Sequence, residues 1–342
     1  MSAEDQLIER VRRALAARSS ARGSAAGLRL GIGDDAAIIA AVSPERELVL
    51  SCDAFIEGVH FLADRHPADS VGYKALARAT SDLAAMGAKP RWFLMTLALP
   101  ASRTGKWLDQ FLGGMRRAAG RFGMELIGGD TTKADRVFVS ITVGGETARE
   151  RAITRAGAKP GDAIYVGGVL GAAQLGLLMV KSGMRAAAGR AGGALRAHLY
   201  PRIRVKLAEW LAGERVASAM IDISDGLSTD LGRLCAACGV GARIWAGRIP
   251  CVRIPITLRD RGPTALRRLD PLKLALDGGE DYELLFTVSR KNETRLRRAP
   301  GFAEMRRIGE IVRGRGMILF DNDDKPRKLR PGGWDPFRPG RR

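Results

Sequence analysis

Apolar residues in this chain recur in two rhythms. Some stretches repeat them at helical spacing, and others are short continuous runs that read as strands. Glu4 to Ala17 carries Leu7, Ile8, Val11 and Leu15 on one face and predicts an amphipathic helix. Asp69 to Met86 predicts a long helix closed by Gly87 and followed by Pro90; Thr104 to Phe122 predicts another, stopped by Gly123. Strands are expected at Glu47–Asp53, Trp92–Leu99 and Val137–Gly144. Further on, Ala163–Val166, Ala242–Trp245, Glu283–Val288 and Met317–Phe320 read as strands. Ala172–Met184, Val205–Leu211 and Leu227–Cys238 read as helices, with one more near Leu272. Arg185 to Arg196 is rich in Ala, Gly and Arg and reads as a surface excursion. In the Pro-, Gly- and Arg-rich tail from Arg330, only Trp334 and Phe337 offer rings that could dock. The alternation predicts an α/β or α+β protein. Ala156 to Asp162, with Gly157, Pro160 and Gly161, reads as the hinge between a first domain, residues 1–150, and a second, residues 151–342.

Composition narrows the class. With 342 residues, 46% hydrophobic and 27% charged, the chain can bury two cores as a soluble globular protein. No apolar run reaches the roughly 18 to 20 residues of a membrane span, and Met1 to Asp5 does not open a secretory signal, so a cytoplasmic location is expected. The net charge of +19 raises nucleic acid as a partner. The arginines are scattered, however, and no RNP-like or helix-turn-helix pattern accompanies them, so nucleic acid is not expected. Cys52, Cys235, Cys238 and Cys251 form no disulfide framework in a chain this long. Cys235 and Cys238 have the CxxC spacing within a helical pattern, without a second pair or a nearby His, and read as small buried hydrophobes rather than zinc ligands.

Candidate chemistry lies where apolar runs end in aspartate. Ile127-Gly128-Gly129-Asp130-Thr131-Thr132 reads as a turn between strands, with glycine amides open to an anion and a carboxylate open to a cation. The same device recurs at Asp34-Asp35, Asp53, Asp222 and Asp225, and at Glu280-Asp281, while Asp82 sits inside a helical pattern. Converging carboxylates need cations, and aspartates without matched His or Cys suit Mg²⁺ rather than zinc. No P-loop, kinase catalytic loop or GxGxxG fingerprint is present. The Gly167-Gly168-Val169-Leu170-Gly171 turn is a weaker candidate for holding phosphate at a helix N-terminus.

Seven segments together resemble the thiamine-monophosphate kinase family, within the aminoimidazole ribonucleotide synthetase superfamily. They are Gly31-Ile-Gly-Asp-Asp35, Ser51-Cys-Asp53 with Gly58-Val-His60-Phe61, Ser81-Asp-Leu-Ala-Ala-Met-Gly-Ala88, Leu126 to Thr132, Thr154 to Asp162, Ile221 to Leu227, and Gly278-Gly-Glu-Asp-Tyr-Glu-Leu284. They run in family order, and the likeness extends from about Asp5 to Phe337. The resemblance implies a two-domain fold: an N-terminal α/β domain whose sheet pairs across a homodimer, and a C-terminal α+β domain. It implies ATP-dependent phosphorylation of thiamine monophosphate to thiamine diphosphate, with several Mg²⁺ ions and ATP bound without a P-loop. Carried over residue by residue, Asp35, Ser51, Asp53, Asp82, Asp130, Asp222 and Asp225 would ligate Mg²⁺. Cys52 stands among them where the family usually has Thr; a thiol is a poor Mg²⁺ ligand, so either its carbonyl serves or one metal position is weakened. Gly129, Asp130, Arg155 and Ser224 would contact ATP, and His60, Glu280 and Trp334 would face the thiamine moiety. The acceptor is itself a phosphate with a second pKa of about 6, so no general base is needed and direct in-line transfer is expected. The alternatives are another ATP-using synthetase of the superfamily and a basic polyanion-binding protein. Selenophosphate synthetase would need a reactive Cys–Lys pair before Gly31, and none is there.

Overall fold

The protein is described by a computed structural model covering residues 28–30, 37–40, 44–184 and 190–337. The helix expected at Glu4–Ala17, and Asp34 and Asp35, lie outside the described residues. The first sheet comprises β1 (Leu28–Leu30), β2 (Ala37–Ala40), β3 (Arg46–Ile56), β4 (Lys89–Leu99), β5 (Glu125–Lys133) and β6 (Phe138–Ala148), in the order β1-β2-β3-β6-β4-β5. All pairings are antiparallel except β4 with β5. Those two are joined by α2 (Lys106–Phe122), the crossover a parallel pair requires. Helix α1 (Ala68–Ala85) packs between this sheet, α2 and the second half of the chain. Its small residues Ala75, Ala77, Ala79, Ala84 and Ala85 are fully buried, which lets sheet and helices approach from several sides. The α1–α2 crossing depends on glycine: a Cβ on Gly72 would lie 1.9 Å from the Phe111 carbonyl oxygen, and one on Gly114 would lie 1.7 Å from that of Asp69.

The second sheet comprises β7 (Ala163–Val166), β8 (Ala217–Asp222), β9 (Gly241–Trp245), β10 (Leu284–Val288), β11 (Arg306–Val312), β12 (Gly316–Phe320) and β13 (Pro326–Leu329), in the order β13-β12-β9-β11-β7-β10-β8. Helices α3 (Ala172–Lys181), α4 (Arg190–Leu199), α5 (Val205–Gly213), α6 (Leu227–Cys238) and α7 (Pro271–Asp277) belong to this half, with three shorter ones at Ile256–Arg261, Thr264–Arg267 and Glu293–Leu296. A single hydrophobic cluster runs from Phe55, Leu83 and Ile141 through Leu207 and Leu211 to Met220, Leu284 and Phe286. The two halves therefore share a core along α1.

Two expectations need correction. Gly128-Gly129-Asp130 is not a turn but the middle of β5, after an irregularity between Phe93 and Leu94 of the β4 pairing. Gly129 has φ of 153°, and a Cβ there would lie 1.9 Å from the Met95 carbonyl oxygen, so glycine serves close approach of two strands. Arg190 to Leu199 forms α4 rather than part of a surface excursion; Leu195, His198 and Leu199 are buried on it. Its polar composition hid a short apolar face that packs on α3. The four cysteines are free, and Cys235 is a buried thiol pushed up to about 12 by burial and by Cys238.

Candidate active site

One stripe of α1 organises the site. Lys74, Arg78, Ser81 and Asp82 follow one another at helical spacing, so they lie along one face of a helix that is otherwise mostly Ala and Leu. Arg78 Nε donates to Asp53 Oδ2 at 2.9 Å and Nη2 donates to Oδ1 at 3.3 Å. Its guanidinium also stands 5.5 Å from the Phe55 ring centre. Ser51 Oγ donates to Asp82 Oδ2 at 2.5 Å. Strand pleat therefore directs Ser51 and Asp53 to the helix side. The Cys52 thiol between them is exposed, 3.4 Å from both the Ser140 and Thr142 hydroxyls. Its sulfur is directed away from Asp82, so the thiol is not part of this constellation.

On the other side of the stripe stand residues of the second half. Ser81 Oγ donates to Asp222 Oδ2, at the end of β8, at 2.6 Å. Lys74 Nζ lies 2.6 Å from Glu280 Oε1. Glu280 and Tyr282 have φ of 70° and 50°, left-handed conformations that non-glycine residues adopt at a cost. The loop is held by Glu280 N–H donating to the Ser224 carbonyl at 2.8 Å and Tyr282 N–H donating to that of Ile223 at 2.9 Å. Between these two residues, Asp281 accepts from the Gly171 and Ala173 amides at 2.6 and 3.1 Å. The N-terminus of α3 is therefore capped by a carboxylate, and the Gly167–Gly171 turn is not a phosphate cradle. Burial pushes the Asp281 carboxyl up to about 7.

Charge is finely set along the stripe. Burial opposes ionisation of Glu280, but Lys74 and His198 outweigh it and hold its carboxyl well below the usual range. Burial pulls the Lys74 pKa down against Glu280, giving a buried ion pair whose Glu280 side chain keeps 22% of its surface open. His60 is held nearby: its Nδ1 accepts from the Ile56 amide at 3.0 Å, which leaves Nε2 to carry the proton. Burial and Arg78 depress His60 to about 4, so its ring is neutral. His60 thus feels the charges of Arg78, Glu280, Asp53 and Lys74.

Asp225 and Ser224 follow β8. Asp225 Oδ2 accepts from Arg233 at 2.5 Å, while buried Asp230 accepts the Asp225 and Gly226 amides at 3.0 and 3.1 Å. The C-terminal segment is strapped here by its backbone. Gly332 N–H donates to Ser228 Oγ at 3.0 Å, Gly333 N–H to Thr229 Oγ1 at 3.1 Å and Trp334 N–H to the Asp225 carbonyl at 3.0 Å. The rings of Trp334 and Phe337 are 52% and 50% exposed, so backbone amides rather than aromatic rings dock the tail. Arg155 lies beside the free edge of β8, where the neighbouring Thr154 carbonyl accepts the Met220 amide at 3.0 Å. Gly129 and Asp130 lie elsewhere, on the exposed edge strand β5. The register aligns Asp130 with Thr96, Ser140 and Ala54, which puts three interstrand spacings, about 14 Å, between Asp130 and β3. Within one chain, Asp130 and Asp53 are too far apart to ligate one ion.

Comparison with known proteins identifies the family. Residues 33–147 match the AIR synthase related protein N-terminal domain, and residues 159–322 match its C-terminal domain. The thiamine-monophosphate kinase of Escherichia coli (strain K12) is 38% identical over 324 residues, 92% of this chain and 94% of that protein. That of Aquifex aeolicus (strain VF5) is 33% identical over 307 residues, 90% and 92% of the two chains. The chain belongs to the thiamine-monophosphate kinase family. A solved structure described as AaThiL complexed with AMPPCP and TMP superposes with a TM-score of 0.81 at 31% identity, covering 97% of this chain and 96% of that one. The thiamine-monophosphate kinase structure from Stenotrophomonas maltophilia K279a superposes with a TM-score of 0.71 at 34% identity, covering 93% and 97%. For a member of this family, the sequence motifs omitted Lys74, Arg78, His66 and His198, each of which bonds to a motif residue or to another of the four. The signal that could have found Lys74 and Arg78 is a charged pair four residues apart in a helix of alanines.

Proposed function

We propose that this chain transfers the terminal phosphoryl group of ATP to thiamine monophosphate, forming thiamine diphosphate and ADP. The observation that carries the reading is the seam along α1, where motif residues of both halves, Ser51, Asp53, Asp222 and Glu280, bond to one helical stripe that includes Asp82. Family membership supports the substrate and the co-substrate.

The donors of this seam fit Mg²⁺ in kind. They are hard carboxylate and hydroxyl oxygens, and Asp82 and Asp222 each take a serine hydroxyl. Among the described residues no three His, Cys, Asp or Glu gather in a metal-binding group. Mg²⁺ ordinarily takes one or two carboxylates together with substrate phosphates, so paired donors suit it better than a closed cage would. Ser51, Asp53, Asp82, Asp222 and Asp225 would hold such ions, with Asp35 and Asp130 as further ligands. Bound there, Mg²⁺ would neutralise the meeting polyanions and the charge that develops in transfer.

The chain's own residues orient the reactants. Glu280, neutral His60 and Trp334 would seat the organic part of the acceptor, and Arg155, Ser224, Gly129 and Asp130 would take ATP. The acceptor phosphate is largely ionised at neutral pH, so no residue need remove a proton. We take the domain division at residues 150 and 151, supported by the end of the first sheet at Ala148 and the start of the second at Ala163. We also take the active species as a homodimer paired through the first sheet. The wholly exposed β5 supports this: it is an edge strand, and its Leu126 and Ile127 are 48% and 56% exposed. Among the described residues no helix is long and apolar enough to cross a membrane. The test is incubation with Mg²⁺, ATP and thiamine monophosphate: thiamine diphosphate and ADP should appear in equal amounts. ATP consumption indifferent to thiamine monophosphate would instead indicate another synthetase of the superfamily.

A further inference from the structure

Behind Glu280 lies a row of buried groups that the reaction itself does not use. His66 precedes α1 and His198 sits on α4; their side chains are 4% and 0% exposed. The His66 and His198 Nε2 atoms are 2.9 Å apart. The Leu62 amide donates to His66 Nδ1 at 3.1 Å, and the Leu62 carbonyl is also 3.1 Å from that nitrogen. His198 Nδ1 lies 3.2 Å from Glu280 Oε2 and 3.2 Å from Lys74 Nζ.

Proton counting along this row favours one arrangement. A neutral imidazole has one donor and one acceptor nitrogen. If His66 Nδ1 accepts the Leu62 amide, His66 Nε2 carries the proton and donates to His198 Nε2. His198 must then carry its own proton on Nδ1 and donate it to Glu280 Oε2, while Lys74 supplies Oε1. Lys74 and His198 then donate to the two oxygens of Glu280, the Leu62 amide and His66 supply the other two hydrogen bonds of the row, and both rings are neutral. The reversed arrangement would let His198 Nδ1 accept from Lys74, but it gives up the His198 hydrogen bond to Glu280 and sets a lone pair against that carboxylate at 3.2 Å. Burial, reinforced by Lys74, disfavours the charged form of both rings.

We infer that His66, His198 and Lys74 form a positioning relay that fixes Glu280 to receive an amino-bearing heteroaromatic ring of the phosphate acceptor. This rests on the proposed reading that Glu280 faces the acceptor. A carboxylate offers about four lone-pair positions, and the relay uses two. The remainder, on a side chain still 22% open, accept from the ligand with the carboxylate held ionised and unable to turn. An amine donor is thereby favoured over an oxygen acceptor at the same place, because the latter would meet a fixed lone pair. His66 and His198 act through Glu280 and touch no reacting atom.

The test uses the whole enzyme and two readouts. Long-range ¹H–¹⁵N spectra of histidine-labelled protein at pH 7 should show neutral rings, with the proton on Nε2 of His66 and Nδ1 of His198. The chain's three histidines make the assignment tractable. In steady-state kinetics, His66→Leu should raise KM for thiamine monophosphate roughly tenfold, the loss expected when a hydrogen bond supporting a charged group is broken. KM for ATP should be unchanged, and His66→Gln, whose amide can donate from near the Nε2 position, should recover the wild-type value. A cationic ring, or the proton on Nε2 of His198, would overturn the relay even if His66→Leu did not fold. So would an unchanged KM in His66→Leu alongside a raised KM in Glu280→Gln. An unchanged KM in Glu280→Gln would overturn the placement of Glu280 against the acceptor instead.

Discussion

At the residue scale, the site depends on carboxylates whose partners differ. Asp53 is matched by an arginine, Asp82 and Asp222 by serine hydroxyls, and Glu280 by a buried lysine. Asp82 and Asp222 thus offer hard carboxylate oxygens, each beside a serine hydroxyl, of the kind Mg²⁺ takes. Asp82→Asn should lower kcat by about two to three orders of magnitude, the usual scale for removing one electrostatic contributor to a transition state, with the thermal midpoint little changed. Steady-state rates beside a melting curve check both parts. His66 gives a stability prediction with a definite sign. Its folded-state pKa, depressed by burial and by the facing His198 and Lys74 against Glu280 and the Leu62 carbonyl, is about 4, below its ordinary 6.5. The unfolded chain then binds more protons between those values, so stability falls as pH drops from about 6.5 toward 4. Urea titrations at pH 7 and pH 5 should show this loss, on the order of 1 to 2 kcal/mol from this group, and His66→Gln should reduce it.

At the element scale, close packing and hidden faces carry the architecture. Helices α1 and α2 meet through Gly72 and Gly114, where no side chain fits. Gly114→Ala should destabilise by about 3 kcal/mol or more or abolish folding, read from chemical denaturation, because its Cβ would collide with backbone rather than with a movable side chain. Helix α4 is the instructive case for legibility. Its Arg, Ala and Gly composition conceals Leu195 and Leu199, and only docking onto α3 shows that His198 is turned inward. Leu195→Ala should cost about 2 to 5 kcal/mol and raise KM for thiamine monophosphate by loosening His198. By contrast, α1 and α2 were legible from period and glycine stops alone. Strand β5 was misread because Gly128-Gly129-Asp130 has turn composition; tertiary pairing with β4 overrode that local preference.

At the scale of the whole molecule, one apolar cluster crosses from the first sheet into the second, so the halves are not independent bodies. Calorimetry and tryptophan fluorescence should report one coincident unfolding transition. The motifs singled out Ser51, Asp53, Asp82, Asp222 and Glu280, which meet along α1, although Asp53 lies within β3 and Asp82 within a helix rather than at strand ends. What they could not convey is which of them meet: the seam along α1 joins positions as distant as Ser81 and Asp222, and the register leaves Asp130 on the far edge strand. In the homodimer proposed above, a neighbouring subunit paired along β5 would bring that edge to a shared cleft. The most direct measurement is a single-turnover reaction with γ-³²P-ATP, Mg²⁺ and thiamine monophosphate, quenched and resolved into nucleotide, thiamine and protein fractions. We expect the label to pass from ATP into thiamine diphosphate with no labelled protein at any time, and no ADP to form when the acceptor is withheld. Label trapped on the protein, or ADP formed equally without thiamine monophosphate, would contradict direct transfer across this seam.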